Sequence, residues 1–90
     1  MATYHLKILT PGRAVLDAEV ESIVAPGEAG HLGVLANHAP IITTLTEGTL
    51  KVRTDGGQKW YRIAGGILRV AHNKAVLLSE SAEEIPAEAS

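Results

Sequence analysis

Between Gly30 and Leu45 the chain reads GHLGVLANHAPIITTL, an apolar run that glycines, histidines and a proline interrupt. Each interior glycine weakens a helix by about 1 kcal/mol and a proline by about 3 kcal/mol, so this composition argues against a helix. Glycine allows close backbone approach, and proline pushes the residue before it toward extended geometry. The stretch carries no cysteine and no carboxylate. It indicates a shaped, mostly apolar connection that docks against another surface.

Short strand-like runs flank this stretch, with turn residues every 8–12 residues or so, as in a sandwich or barrel. The spacing predicts an all-β fold, a small two-layer β-sandwich of about eight to ten short, mostly antiparallel strands. The predicted strands are Tyr4 to Leu9, Ala14 to Ala25 as two strands or one bent strand, Leu45 to Thr54, Gln58 to Ala64, Ile67 to Ala71 and Lys74 to Ser79. The predicted turns and breaks are Pro11-Gly12, Pro26 to Gly30, Glu47-Gly48, Asp55-Gly56-Gly57, Gly65-Gly66 and His72-Asn73.

Alternation along these runs predicts which side chains enter the core. Tyr4, Leu6 and Ile8 share one face of the first strand. Two runs, Ile41-Ile42 and Ala75 to Leu78, are apolar on both faces. A chain of 90 residues has no second layer of helices to cover such faces, so the outward apolar surface predicts a permanent protein interface.

The last residues change in character and predict a boundary. We assign residues 1–82 to the β-sandwich domain and residues 83–90 to an acidic, flexible tail, because acidic and small residues dominate there. Ile85 is able to add a short edge pairing, and beyond Pro86 we expect disorder.

Composition excludes several classes of protein. Hydrophobic residues make up 46% of the chain, which is typical of a globular domain, and there is no cysteine for a disulfide partner. A net charge of −2 argues against nucleic acid, because a phosphate binder needs a basic patch. The chain shows neither a signal peptide nor an apolar run long enough to span a bilayer. These features indicate a soluble protein on the cytoplasmic side.

Candidate chemistry is sparse. The histidines His5, His31, His38 and His72 lack the tight local pairing of metal ligands, so we assign no metal site. A triad of Ser22 with a histidine and Asp17 or Asp55 lacks the nucleophile elbow. We therefore assign no catalytic residue and no cofactor-binding residue, and expect no cofactor.

Several motifs occur in a recognisable order. Thr10-Pro11-Gly12 precedes the run from Gly30 to Pro40, and Glu47 to Val52 and Ala64 to Val70 follow it, with a last match near Ala82 to Ile85. This pattern resembles the epsilon subunit of rotary F-type ATP synthases, called delta in mitochondria. The resemblance implies the N-terminal β-sandwich domain of that subunit, without the C-terminal helical hairpin, so an inhibitory or ATP-binding role of that hairpin is not carried over.

By this resemblance the chain is not an enzyme but a central-stalk, or rotor, subunit of a proton- or sodium-translocating F-type ATP synthase. It would link the gamma subunit to the membrane c-ring and couple ion flow to ATP synthesis. Its location would be peripheral, on the cytoplasmic face of a bacterial inner membrane or a thylakoid-type membrane, with membrane contact made only through the complex.

The resemblance also implies two interfaces. We expect the gamma-subunit interface at His38, Ala39, Pro40, Ile41, Ile42 and Thr43, with Val76 and Leu78 as a second contribution. We expect the c-ring interface in the loop of Glu28, Ala29, Gly30 and His31. Many relatives carry an acidic residue at the position of His31, facing a c-ring arginine, so here Glu28 would supply that charge.

Two other functional classes remain open at this point. A stand-alone ligand-binding β-sandwich would need a concave pocket with convergent polar groups, and this chain has few aromatic residues to line one. A small enzyme would need a catalytic constellation.

Overall fold

The structure, a computed structural model, describes residues 2–86. Within them the chain forms eight strands and no helix, which confirms the predicted all-β fold. The strands are β1 (Tyr4–Thr10), β2 (Arg13–Val20), β3 (Ser22–Gly27), β4 (Gly30–Leu35), β5 (Ile41–Thr54), β6 (Gly57–Ala71), β7 (Lys74–Leu78) and β8 (Ala82–Ile85).

Two long strands join the layers of the sandwich. The first half of β5 and the second half of β6 extend a layer of order β2-β1-β7-β6-β5, which we call the β7 layer. The other halves of the same two strands lie in a layer of order β8-β6-β5-β3-β4, which we call the β3 layer. Neighbouring strands are antiparallel except β1 and β7, which run parallel.

The core lies between the layers and follows the predicted alternation. Tyr4, Leu6 and Ile8 of β1 are buried, and Leu50 and Val52 of β5 are buried opposite them. Burial of each large aliphatic side chain contributes roughly 1.5–3 kcal/mol. The sixteen hydrophobic residues of the core come from both layers, so each layer depends on the other for burial.

Three of the predicted turns are confirmed. Pro11-Gly12 joins β1 to β2, and Asp55-Gly56 joins β5 to β6. His72 and Asn73 join β6 to β7 with φ values of 53° and 60°. Both residues of the last turn are therefore left-handed, as a tight hairpin turn of this kind requires.

Two breaks predicted at glycines are wrong. Both β5 and β6 run unbroken past Glu47-Gly48 and Gly65-Gly66, in one constant register. These glycines mark where the strands turn from one layer into the other. A Cβ on Gly66, whose φ is +135°, would lie 1.9 Å from the carbonyl oxygen of Leu78. Only glycine accommodates that approach. These glycines therefore do mark an irregularity in the strand, but the irregularity is a bend and not a break.

The stretch from Pro26 to Pro40 is also more regular than predicted. The predicted loop from Pro26 to Gly30 shrinks to a two-residue turn at Glu28 and Ala29. The strand β3 includes Pro26 because its pairing with β5 shifts register between Val24 and Gly27, where a missing amide is tolerated. The predicted connection after Gly30 begins instead with strand β4, because Leu32 and Val34 turn toward the core.

The predicted boundary after residue 82 falls inside a strand. Glu83 to Ile85 belong to β8, in which Ile85 pairs with Trp60 and Glu83 with Arg62. Cross-strand pairing of an acidic with a basic residue favours this edge contact. The tail predicted from residue 83 thus begins no earlier than Pro86, and residues 87–90 lie outside the described part of the chain.

One buried hydrogen bond ties the two layers together. The hydroxyl of Tyr4 in β1 donates to the carbonyl oxygen of Val34 in β4, at 2.8 Å. Burial raises the pKa of the Tyr4 phenol far above its usual range, and the backbone amide of Ile23 offsets part of that rise. The neutral phenol is therefore the form that the folded state stabilises.

We expect Gly66→Ala to destabilise the domain by about 2–3 kcal/mol, because it combines a positive φ with a backbone clash. Gly33→Ala is the matched control, since a Cβ on Gly33 meets nothing within 4 Å. Urea unfolding of the two variants measures the difference. Equal midpoints would contradict the account of the bend.

The stability of the domain should fall as pH rises above 10. Unfolded tyrosine loses its proton near 10.0, whereas folded Tyr4 keeps it to higher pH, so the folded state binds more protons in that range. We expect Tyr4→Phe to cost about 1 kcal/mol at neutral pH and to reduce the alkaline decline. Urea unfolding at several pH values tests both effects. The variant Tyr61→Phe serves as a comparison for the alkaline decline, because burial and the charge of Glu84 also raise the pKa of the Tyr61 phenol.

Candidate functional site

An apolar patch lies on the outer face of the β7 layer. It consists of Ile42, Ile67, Val76 and Leu78, and we call it the outer patch. Ile42 is 73% exposed, and Ile67 and Leu78 are each 48% exposed. Large aliphatic side chains left open to water in one cluster are typical of a protein interface.

Strand register brings the outer patch together from three strands. Ile42 of β5 lies opposite Arg69 of β6, and Arg69 lies opposite Val76 of β7. Two residues away along β6 and β7, Ile67 lies directly opposite Leu78. Directly opposite residues share a face of the sheet, so these side chains point outward together. Ile42 and the Val76–Leu78 pair, which sequence analysis treated as separate contributions, are thus parts of one surface.

The outer patch continues into an open groove at one end. The groove has a volume of about 480 Å³ and is lined by Leu9, Pro11, Gly66, Ile67 and Leu78, among others. Its lining is mostly apolar, and it follows the line where β6 bends away from β7. An inserted apolar side chain of a partner would find both shape and chemistry there.

Charged side chains border the outer patch on its other side. Lys7 of β1 lies opposite Val76, and His5 lies two residues before it. The two ring nitrogens of His5 contact Asp17 and Glu19 of β2, Nδ1 lying 3.2 Å from a Glu19 carboxylate oxygen. The outer face of the β7 layer thus has a mostly apolar half, in which Arg69 lies between Ile42 and Val76, and a charged half on β1 and β2.

Not all predicted gamma-interface residues lie on this surface. Ile41 and Thr43 pair with the buried residues Val70 and Leu68, so both face the interior side of β5. Ile41 packs against the core. Of the predicted pair Ile41-Ile42, therefore, only Ile42 presents its side chain outward.

The connection from β4 to β5 is held by hydrogen bonds. Nδ1 of His38 donates to the carbonyl oxygen of Ala39 at 2.7 Å, while Ala39 and Pro40 are exposed. The backbone amide of Asn37 donates to Oδ1 of Asn73 at 2.7 Å, and Nδ2 of Asn73 donates to the carbonyl oxygen of Thr3 at 2.9 Å. Asn73 thereby fixes this connection against β1, a role that its place in a turn did not reveal.

The predicted c-ring residues form the hairpin between β3 and β4. Glu28 and Ala29 are its two turn residues, and Gly30 and His31 begin β4; all four are exposed. A groove of about 470 Å³ separates this hairpin from the start of β5, and it is lined by Glu28, His31, Leu32, Ile42, Thr43 and Thr44, among others. The two predicted interfaces therefore border one groove.

One residue of the outer patch, Ile67, and the adjacent Arg69 were missed at the sequence level. Ile67 and Arg69 alternate with the buried Leu68 and Val70, and they lie between the predicted residues of β5 and β7. The alternation was visible, but the assumed break at Gly65-Gly66 hid the fact that β6 pairs with β5 along its whole length.

Within residues 2–86, no group of three or more histidine, aspartate or glutamate side chains is arranged to hold a metal ion. The described part of the chain also contains no helix of the length and apolarity needed to cross a bilayer. The features that remain are surfaces, not reactive clusters.

Comparison with known proteins agrees with the fold. Residues 3–85 match the family described as the beta-sandwich domain of the ATP synthase delta/epsilon chain. The chain belongs to this family. It is 42% identical over 79 residues to the ATP synthase epsilon chain of Nitratidesulfovibrio vulgaris, covering 88% of this chain and 59% of that protein. The epsilon chain of Pelotomaculum thermopropionicum is also 42% identical, over 81 residues, with 90% and 60% covered.

A solved structure is similar as well. A chain in the cryo-EM structure of Euglena gracilis mitochondrial ATP synthase (OSCP/F1/c-ring, rotational state 1) superposes with a TM-score of 0.88 at 26% identity. The match covers 99% of this chain and 59% of that one. This member of the delta/epsilon family thus spans about three-fifths of the length of the relatives that it matches.

Proposed function

We propose that the domain is a non-catalytic rotor subunit in the central stalk of a proton- or sodium-translocating F-type ATP synthase. It links the gamma subunit to the c-ring and couples ion flow to ATP synthesis. The observation that carries this proposal is the outer patch on a domain of the delta/epsilon family. A permanent rotor joint needs an apolar surface that stays covered.

The construction of the domain suits the transmission of torque. The strands β5 and β6 belong to both layers, so a force applied to one layer reaches the other through continuous backbone. A close-packed core resists compression. The Tyr4–Val34 hydrogen bond adds a link between the layers at the side of β1 and β4.

The gamma subunit covers the outer patch in this proposal. Ile42, Val76 and Leu78 supply the apolar contact, and the connection of half-buried His38 and exposed Ala39 and Pro40 extends it. Ile41 and Thr43 support this surface from the interior side of β5. Removing Ile42 and its neighbours from water on assembly contributes roughly 25 cal/mol per Å² of apolar area.

The c-ring meets the hairpin of Glu28, Ala29, Gly30 and His31. Glu28 is an exposed carboxylate at a protruding turn, where a basic group of the ring can approach it. The shared groove beside Ile42 lets the two partners meet at one corner of the domain. The location is accordingly peripheral, on the cytoplasmic face of a bacterial or thylakoid-type membrane.

Ile42→Glu should weaken binding to purified gamma subunit by at least about tenfold, because it replaces apolar contact in the joint with a carboxylate that must lose its water even where Arg69, which lies opposite it, pairs with it. Lys59→Glu and Trp60→Ala, which lie outside the outer patch, should bind as the unchanged domain does. Pull-down or calorimetry measures the affinity, and circular dichroism checks that each variant is folded. Full binding by folded Ile42→Glu would remove the outer patch from the interface.

Glu28→Lys should loosen attachment to isolated c-ring, most strongly at low ionic strength, because exposed charge pairs are screened by salt. Asp55→Lys is the matched control, since Asp55 is also a hairpin-turn carboxylate but lies at the opposite end of β5. Co-sedimentation at several salt concentrations tests the pair. A loss that is independent of salt, or equal in both variants, would argue against this contact.

A further inference from the structure

The strand β4 has an open edge. It is the last strand of the β3 layer, and among residues 2–86 its pairing partner is β3. The hairpin of β3 and β4 has a two-residue turn, so Gly27 and Gly30, which flank the turn, form a hydrogen-bonded pair. In an antiparallel ladder, hydrogen-bonded and non-hydrogen-bonded pairs alternate, so every second residue of β4 after Gly30 makes no hydrogen bond to β3. The backbone N–H and C=O groups of His31, Gly33 and Leu35 therefore point away from β3.

The edge strand of the β7 layer is protected, whereas the edge at β4 is open. The strand β2, which ends the β7 layer, carries Arg13, Asp17 and Glu19, and its pairing with β1 shifts register between Ile8 and Leu9. Charges and irregular pairing are the usual devices that prevent strand addition. The sequence of β4, GHLGVL, contains no charged residue other than a histidine and no proline, and it pairs in unbroken register.

The side chains of β4 define what would fit beside it. His31, Gly33 and Leu35 face outward, and Leu35 is 67% exposed. A Cβ on Gly33 would meet nothing within 4 Å, so an empty slot lies between His31 and Leu35. A bulky apolar side chain from a neighbouring strand would fill this slot and cover Leu35, in the way that aromatic residues pack over strand glycines.

The start of β4 is continuous with the surface proposed for the gamma subunit. The groove beside Ile42 is lined by His31 and Leu32 on one side and by Thr43 and Thr44 on the other. A partner segment that leaves the outer patch through this groove arrives at the free edge of β4. Among the described residues, β3 is the strand that pairs with β4, so the other edge of β4 has no strand beside it.

We propose that an extended segment of the gamma subunit adds to β4 as a further strand of the β3 layer, with a bulky apolar side chain beside Gly33. Backbone hydrogen bonds to His31, Gly33 and Leu35 supply the affinity, and the slot at Gly33 supplies the selectivity. This inference rests on the proposed function, because it takes the gamma subunit as the partner.

The test removes one backbone donor without removing a side chain. Gly33→Pro deletes an N–H that faces solvent in the free domain, a position where edge strands tolerate proline. We expect it to weaken binding to purified gamma subunit by about tenfold or more, since its partner carbonyl would be left unpaired. Gly33→Ala keeps the N–H and only narrows the slot, so it should weaken binding clearly less than Gly33→Pro does. Thermal unfolding shows that both are folded, and His31→Pro with His31→Ala replaces the pair if Gly33→Pro is not.

A second readout follows the amides directly. Hydrogen exchange at His31, Gly33 and Leu35 should be fast in the free domain and should slow at least about tenfold when gamma subunit is added. Unchanged exchange, or full binding by folded proline variants, overturns the inference. Sedimentation that shows β4 variants losing only self-association overturns it too, because the occupant would then be a second copy.

The two proposals fail in different ways. If Ile42→Glu weakens binding and the proline variants do not, the outer patch stands and strand addition is rejected. If neither change affects binding, the gamma subunit binds elsewhere, and both the outer patch and strand addition are rejected. If the unchanged domain does not bind gamma subunit at all, the proposed function itself is rejected.

Discussion

The close approach of Gly66 to the backbone of Leu78 is the constraint on which the rest of the structure depends. It lets β6 leave β7 and continue into the other layer, where it pairs with β8. The buried hydroxyl of Ser79 fills the gap that opens there, accepting from the amide of Ala64 at 3.3 Å and donating to the carbonyl oxygen of Ser81 at 2.9 Å. Without this bend, the residues of the core would not face one another, and neither layer would be covered.

The same bend decides what the outer surfaces look like. Because β5 and β6 cross between layers, Ile42 and Ile67 lie beside the outward residues of β7, and together they form the outer patch. Among residues 2–86, no further strand covers that patch. A partner that covered this apolar surface would remove it from water and so stabilise the complex. The bend therefore determines both how the core is closed and which apolar side chains stay exposed.

Sequence alone was sufficient where local chemistry decides. Alternation identified the buried face of β1, and Asp55-Gly56 and His72-Asn73 identified their turns, because only a few residue types accept those backbone angles. Sequence alone was insufficient where a glycine is compatible with either a break or a bend of the strand. Gly48 and Gly65-Gly66 were interpreted as breaks, but they are bends forced by neighbours distant in sequence, such as Leu78. For the candidate site, Ile42, Val76 and Leu78 were found and Ile67 was not, because register, not composition, places it between them.

The parallel pairing of β1 with β7 has a consequence for how the domain is made. Lys7 lies beside Val76, so the first strand forms one of its two ladders with a strand synthesised almost seventy positions later. Contacts so distant along the chain slow folding, since the intervening loop must be closed before they form. The hairpin of β1 and β2 can assemble early on the ribosome, but the other edge of β1 stays unpaired until β7 has been synthesised. During that interval one edge of the first strand exposes backbone N–H and C=O groups that have no partner yet.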